Sequence, residues 1–97
     1  MAYRVVWSPK AVEDVEAIAT YISRDSPSYA SAVVQKLINQ ASRLSDSPSA
    51  ETLVPECCDP KMHETCAYSY RMIYHINENR VTVAAIIHHK NLLSINH

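Results

Sequence analysis

Hydrophobic residues recur three and four positions apart in two stretches of the N-terminal half, which is the spacing of an amphipathic helix. The first stretch follows Ser8-Pro9 and the second follows Ser26-Pro27. Each pair offers a serine N-cap before a proline at the first helical position, where the missing N–H costs nothing. Since only a few residues separate the two stretches, they predict an antiparallel helical hairpin. The apolar positions are Val12, Val15, Ile18, Ala19 and Ile22, then Ala30, Val33, Val34, Leu37, Ile38, Ala41 and Leu44.

β-Branched and aromatic residues predict strands elsewhere in the chain. The runs are residues 3–7, 63–68, 70–76 and 81–87. Prolines and small polar residues between 47 and 61 predict an irregular connection, and the polar break Asn77-Glu78-Asn79 predicts a β-hairpin between the last two strands. The order is that of an α+β domain, with an N-terminal strand, a helical hairpin, and then a three-stranded antiparallel sheet packed on the helices.

Length and composition narrow the class of protein. Ninety-seven residues predict one domain that spans 1–97. No apolar run approaches the ~20 residues of a membrane span, and the N-terminus lacks a secretory hydrophobic region, so a soluble cytoplasmic protein is expected. The formal net charge of −1 argues against affinity built on neutralising many phosphates. The absence of glycine excludes a glycine-rich phosphate loop.

The cysteines and histidines do not predict a metal site. Cys57, Cys58 and Cys66 are odd in number and lack the spacing of a disulfide framework, so reduced thiols are expected, with a redox or metal role for the vicinal pair as the alternative. His63 and Cys66 have a ligand-like spacing, but strand alternation sends residues three apart to opposite faces. Solvated surface positions are expected for three further histidines: His75, His89 and His97.

The predicted hairpin determines what surrounds Arg71. If the turn centres on Glu78-Asn79, Asn77 faces Arg80, and one face of the hairpin is apolar or aromatic and meets the helices. That face comprises Tyr70, Met72, Tyr74 and Ile76 with Val81, Val83, Ala85 and Ile87. The opposite face, expected to be thinly covered, comprises Arg71, Ile73, His75, Thr82, Ala84, Ile86 and His88. This register makes Arg71 and His88 diagonal neighbours, within reach of one phosphate or carboxylate. A surface Arg71 paired with Glu64 or another carboxylate from the preceding strand is the competing interpretation.

Five short motifs, in this order along nearly the whole chain, resemble the RelE/ParE toxin superfamily of type II toxin–antitoxin systems, which includes proteins called plasmid stabilisation proteins. They are residues 7–11 (WSPKA), 21–22 with 26–27 (YI and SP), 53–56 (LVPE), 70–74 (YRMIY) and 87–90 (IHHK). The resemblance implies the same α+β fold and a growth-inhibiting toxin with no cofactor or metal. The long helical hairpin and the Trp-Ser-Pro opening are more similar to the ParE branch, whose members poison DNA gyrase.

The resemblance also implies an alternative target and a set of candidate residues. RelE-like members cleave messenger RNA on the ribosome, and there Arg71 would bind the reacting phosphate, Lys90 would support it, and His88 or His89 would exchange protons. In a ParE-like protein the same three residues are candidates for target contact. A cognate antitoxin is the expected partner, commonly in a dimer of toxin–antitoxin heterodimers.

Two departures from the superfamily pattern bear on potency. Members commonly have Arg-Glu where this chain has His63-Glu64, and Gly-Arg where it has His89-Lys90. A lysine keeps the positive charge but loses the bidentate geometry that arginine offers to a phosphate. An attenuated relative that binds an antitoxin and tunes repression of their operon is therefore a further possibility.

Overall fold

The computed structural model describes residues 3–46, 52–53 and 61–88. It confirms the α+β architecture: an N-terminal strand and two helices precede a set of antiparallel strands, and the N-terminal strand joins the same sheet. The strand order is β1-β5-β4-β3-β2, with β1 parallel to β5 and the other neighbours antiparallel. The elements are β1 (Arg4–Trp7), α1 (Pro9–Ser23), α2 (Pro27–Arg43), β2 (Thr52–Leu53), β3 (Met62–Ala67), β4 (Tyr70–Asn77) and β5 (Arg80–His88).

Both helices begin where the serine–proline pairs predict. The Ser8 hydroxyl accepts a hydrogen bond from the Ala11 N–H at 3.1 Å, and the Ser26 hydroxyl accepts one from the Tyr29 N–H at 3.2 Å. Each serine thereby satisfies one of the backbone donors that the first helical turn leaves without an intrahelical partner.

The sheet has one strand that the sequence pattern did not indicate. β2 lies inside the stretch predicted to be an irregular connection, and its two residues pair with His63 and Glu64 of β3. A two-residue strand is too short to show an alternating pattern, so its pairing with β3 is visible only in three dimensions.

The main core lies between the helices and one face of the sheet. Val33 and Leu37 of α2 are fully buried, as are Met72, Tyr74 and Val83 of the sheet. Two residues of the predicted helical stripes are exposed: Val12 is 44% exposed and Ile38 is 45% exposed. The prediction that both lie at the helix–sheet interface is wrong, because neither packs in the main core.

Both tight hairpins place a non-glycine residue at positive φ. Tyr68 joins β3 to β4 and Glu78 joins β4 to β5, each with φ of 55°. Two-residue hairpin loops favour glycine at such positions, and an L-residue there costs about 1 kcal/mol. The sequence contains no glycine, so residues with side chains occupy these turn positions.

Among the described residues, no helix combines the length and the apolar character needed to cross a membrane.

Candidate functional site

Near its turn, the β4–β5 hairpin has the predicted register. Asn77 is opposite Arg80, Ile76 is opposite Val81, and Tyr74 is opposite Val83. The last two pairs lie on the helix side, where their members belong to the main core or pack against it.

A β-bulge at Ala84 changes the rest of the hairpin. Tyr74 pairs with Val83, but its neighbour Ile73 pairs with Ala85, so Ala84 has no partner on β4. The extra residue exchanges the two faces of β5 for every position beyond it. Ile86 consequently belongs to the main core, whereas Ala85 lies with Ile73 and Met62 in a second apolar cluster on the other face.

The bulge separates two of the predicted site residues. Arg71 pairs with Ile87, and His88 pairs with Tyr70, whose ring it meets edge-on at 5.7 Å between centroids. Neighbouring residues of β4, such as Tyr70 and Arg71, point to opposite faces of the sheet. Since His88 shares the face of its partner Tyr70, Arg71 and His88 lie on opposite faces. The prediction that they are diagonal neighbours on one face is therefore wrong, as is the predicted placement of Ala85 and Ile87 on the helix side.

Side chains of the first helix hold β5 beyond the bulge. β1 ends at Trp7, opposite Val83, so it pairs with only the first part of β5. Beyond that point the Ser8 hydroxyl donates to the Ala84 carbonyl at 3.0 Å, and the Ile86 N–H donates to the Asp14 carboxylate at 2.9 Å. The N-cap serine and one helical carboxylate thus replace part of the missing strand.

Arg71 forms a buried ion pair. Its guanidinium lies 2.7 Å from the Glu64 carboxylate, and the two side chains are only 6% and 14% exposed. The pairing of Arg71 with Glu64 agrees with the competing interpretation. The prediction that Arg71 lies at the surface, on a thinly covered face of the sheet, is wrong. Separating two desolvated charges of opposite sign would leave each of them buried without compensation, which is energetically costly. The ion pair therefore constrains β3 against β4.

His88 instead lines a cleft between α1 and the sheet. The cleft has a volume of about 520 Å³ and is also lined by Lys10, Asp14, Tyr21 and Tyr70. Lys10 and Asp14 form an ion pair at 2.6 Å. Sequence reasoning missed this cleft, although the i,i+4 spacing of Lys10 and Asp14 is a readable sign that they share a helical face.

Tyr70, which also lines this cleft, has a perturbed acidity. Burial raises the pKa of its hydroxyl above the usual 10.0, and repulsion from the phenolates of Tyr29 and then Tyr21 adds to that rise. Tyr70 is therefore a neutral hydrogen-bonding group near pH 7. Its position next to His88 gives the cleft a polar edge beside an apolar floor that includes Ile18 and Ile86.

The histidine and cysteines considered as metal ligands either lie on different faces of the sheet or fall outside the described residues. His63 is buried and stacks on Tyr74 with ring centroids 5.7 Å apart, while Cys66 is exposed, which confirms that they do not share a face. Within residues 3–46 and 61–88, no cluster of three potential metal ligands is present. The predictions for Lys90, His89, His97, Cys57 and Cys58 lie outside the described residues.

A second, more apolar groove runs along the helical hairpin. It has a volume of about 370 Å³ and is lined by Trp7, Val12, Val15, Glu16 and Ile38. It includes Val12 and Ile38, the exposed residues of the predicted helical stripes. Because β1 is an edge strand, this hairpin groove lies beside a sheet edge.

Solved structures with this fold include toxins from several bacteria. A chromosomal ParDE system from Pseudomonas aeruginosa contains a chain with a TM-score of 0.73 at 18% identity, covering 90% of this chain and 96% of that one. The RelBE2 complex from Mycobacterium tuberculosis gives a TM-score of 0.67 at 16% identity, with 91% and 99% covered. The heterotetrameric YoeB–YefM complex from Staphylococcus aureus gives 0.57 at 15% identity, with 92% and 99% covered.

At these identities the likeness shows the fold alone, and no curated protein matches the sequence. The sequence of residues 5–93 matches the family model described as the ParE toxin of the type II toxin–antitoxin system parDE. That match extends from the first strand beyond the last described one and takes in both Arg71 and His88. The chain therefore belongs to the ParE toxin family of type II toxin–antitoxin systems.

Proposed function

We propose that this chain is a gyrase-directed toxin that acts by binding, without cleaving nucleic acid. The observation that supports this proposal best is the separation of Arg71 and His88 by the Ala84 bulge. RNA cleavage through a ribose 2′-hydroxyl needs a base, an acid and a cation around one phosphate. A cation and an imidazole on opposite faces of a sheet do not serve one phosphate, whereas a toxin that docks on its target needs no such cluster.

The charges of the chain support the same proposal. Glu64 neutralises Arg71 at 2.7 Å, and the formal net charge of the sequence is −1. Such a protein gains little electrostatic steering toward ribosomal RNA, since that affinity depends on the number of phosphates neutralised. Docking on a protein target depends more on shape and buried apolar area.

Of the three candidate residues, we propose that the exposed His88 contacts the target and that Arg71 stabilises the sheet. Lys90 stays a candidate for target contact.

We further propose that a cognate antitoxin covers the hairpin groove defined by Trp7, Val12, Val15, Glu16 and Ile38. Its exposed apolar side chains match the anchors that an amphipathic or extended segment uses when it folds on binding. The YoeB–YefM structure is a heterotetramer of a toxin and an antitoxin. We propose a corresponding dimer of heterodimers for this chain.

Pulse-labelling in bacteria tests the target. The chain is induced briefly without antitoxin, and the incorporation of labelled thymidine and labelled amino acid is followed in parallel. We expect DNA synthesis to fall first, with protein synthesis falling later. An early loss of protein synthesis would contradict the gyrase proposal, and unaffected growth would identify an attenuated relative.

One observation favours RNA cleavage as the second candidate. His88, Tyr70 and Lys10 line a single cleft, so groups able to exchange protons and to face a phosphate do come together there. If this candidate is correct, His88→Ala abolishes message cleavage by the purified chain on ribosomes. Arg24→Ala, a substitution of an exposed arginine after α1, is the matched control and should leave cleavage unchanged.

A further inference from the structure

Two arginines stand side by side at the turn end of the sheet. Arg4 of β1 and Arg80 of β5 are register partners in a parallel pair, and both are exposed. Their neighbours Val5 and Val81 pack on the helix side, so alternation places both arginines on the opposite face. Register partners on adjacent strands lie about 5 Å apart, which brings the two cationic side chains close together.

This arrangement is electrostatically unfavourable on its own. Like charges directly opposite each other destabilise a strand pair. In the described part of the chain, neither Arg4 nor Arg80 has a carboxylate within ion-pairing distance. The repulsion is relieved when an anion lies between the two guanidinium groups.

The surface between the two arginines is concave. A polar cavity of about 250 Å³ is lined by Arg4, Asn77, Glu78, Asn79 and Arg80. The backbone of the cavity is held by the hairpin turn and by a hydrogen bond of 2.9 Å from the Arg4 N–H to the Asn79 carbonyl. The two asparagine amides add neutral donors beside the two arginine forks.

We propose that this cavity, the arginine pair site, binds a single carboxylate side chain presented by an otherwise uncharged segment of a partner protein. A guanidinium group donates two parallel hydrogen bonds to one carboxylate, and two such groups on one wall can donate to both of its oxygens. This site is separate from the His88 cleft and from the hairpin groove. It does not rest on gyrase being the target.

Two features favour a protein carboxylate over a nucleic acid strand. A strand carries a phosphate at every nucleotide, so its binding depends on cations spread along several phosphates. The arginine pair site has two cations in a small cavity, and Glu78 at its edge repels a continuous polyanion. An isolated carboxylate, by contrast, fits between the arginines and leaves the rest of its segment free of charge repulsion.

An NMR titration of the full chain tests the site. The probes are an acetylated and amidated Ser-Ser-Glu-Ser-Ser peptide, which presents one carboxylate, and, separately, hexathymidylate, and the backbone amides of Asn79 and Arg80 report binding. We expect saturable shifts with the peptide and at least tenfold weaker binding in both Arg4→Ala and Arg80→Ala. Arg24→Ala, which removes an exposed arginine elsewhere, should bind like the original chain, and Glu78→Gln should bind more tightly.

Three outcomes would overturn the proposal. The first is the absence of saturable shifts, and the second is peptide affinity that is unchanged in both arginine variants. The third is tighter binding of hexathymidylate than of the peptide, which would assign the site to nucleic acid. The dispersion of the amide spectrum shows whether each variant is folded, and Arg80→Lys, which keeps the charge but loses the fork, should give intermediate affinity.

Discussion

At the scale of single residues, Arg71 illustrates how burial changes the meaning of a charged side chain. A cation inside a strand indicates a solvated or ligand-facing position when only the sequence is considered. In the folded chain Arg71 is 5% exposed and paired with Glu64 of the neighbouring strand. Removing one member of such a pair leaves the other charge poorly solvated.

We therefore expect Arg71→Met to lower the free energy of unfolding by about 3 kcal/mol, because Glu64 would keep a largely buried charge without this partner. Urea denaturation of the purified chain measures the change. In the double variant Arg71→Met/Glu64→Leu, no unpaired carboxylate remains, so its loss should be smaller than that of the single variant. A loss below about 1 kcal/mol in Arg71→Met would show that the ion pair is not a major structural contact.

At the scale of elements, β5 depends on α1 as well as on its neighbouring strands. β1 is four residues long, and β5 has nine. The Asp14 carboxylate accepts the hydrogen bond of the Ile86 N–H, which an extended β1 would otherwise satisfy. A helical side chain thus completes the hydrogen bonding of a strand.

Asp14→Ala is expected to lower the free energy of unfolding by about 1–3 kcal/mol, because the Ile86 N–H loses its acceptor in a partly buried position. The matched control is Lys10→Ala, which breaks the same surface ion pair but leaves the backbone bond intact. It should cost no more than about 0.5 kcal/mol. Equal losses in the two variants, measured by thermal or urea unfolding, would assign the role of Asp14 to the ion pair alone.

The second helix offers a comparison between two adjacent side chains. Leu37 is fully buried in the main core, whereas Ile38 is 45% exposed in the hairpin groove. Leu37→Ala should cost about 2–5 kcal/mol, since it leaves a cavity between the helix and the sheet. Ile38→Ala should cost less than about 1 kcal/mol, since much of its surface is already in water. Similar losses of denaturation midpoint would mean that α2 is rotated from the described position.

At the scale of the whole molecule, the bulge and the helical hairpin divide the surface into separate regions. The His88 cleft lies between α1 and the sheet, the hairpin groove lies beside β1, and the arginine pair site lies at the turn of β4 and β5. Different partners can therefore engage the chain without competing for one patch. This separation suits the proposed binding of both a target and an antitoxin.

Global stability should also depend on pH in the alkaline range. Burial raises the pKa of Tyr70 in the folded chain above 10.0, so the unfolded chain loses this proton first as the pH rises. The stabilisation is complete below pH 10 and is lost as the pH rises through the folded pKa. In Tyr70→Phe the free energy of unfolding should fall less steeply between pH 9 and about 11. An identical slope in the two proteins would contradict the raised pKa.

Several local features follow from neighbouring residues along the chain. Serine before proline begins both helices, because the hydroxyl caps the helix and proline lacks the N–H that would be left unbonded. The polar break at 77–79 produces the β4–β5 hairpin in the predicted register near its turn. The alternation that separates His63 from Cys66 holds because β3 is regular.

The candidate site was less predictable from the sequence, because one unpaired residue, Ala84, determines which face of the sheet the following residues of β5 occupy. Ala84 is a small apolar residue in a β-prone run, and its side chain carries no sign of a bulge. The exchange of faces becomes visible only when β5 lies against β4, Ser8 and Asp14. The positions of Ala85, Ile86, Ile87 and His88 all depended on that one residue.

By itself, the sequence determined the fold class, the two helices and the turn of the hairpin, since these depend on spacing, capping and local backbone preference. It also determined family membership, through motifs spread along the chain. Only the tertiary structure decided that Arg71 is a buried partner of Glu64 and that His88 faces a cleft beside α1. The reason is physical: strand register and burial arise from contacts between residues distant in the chain, and one extra residue reverses which face a side chain occupies.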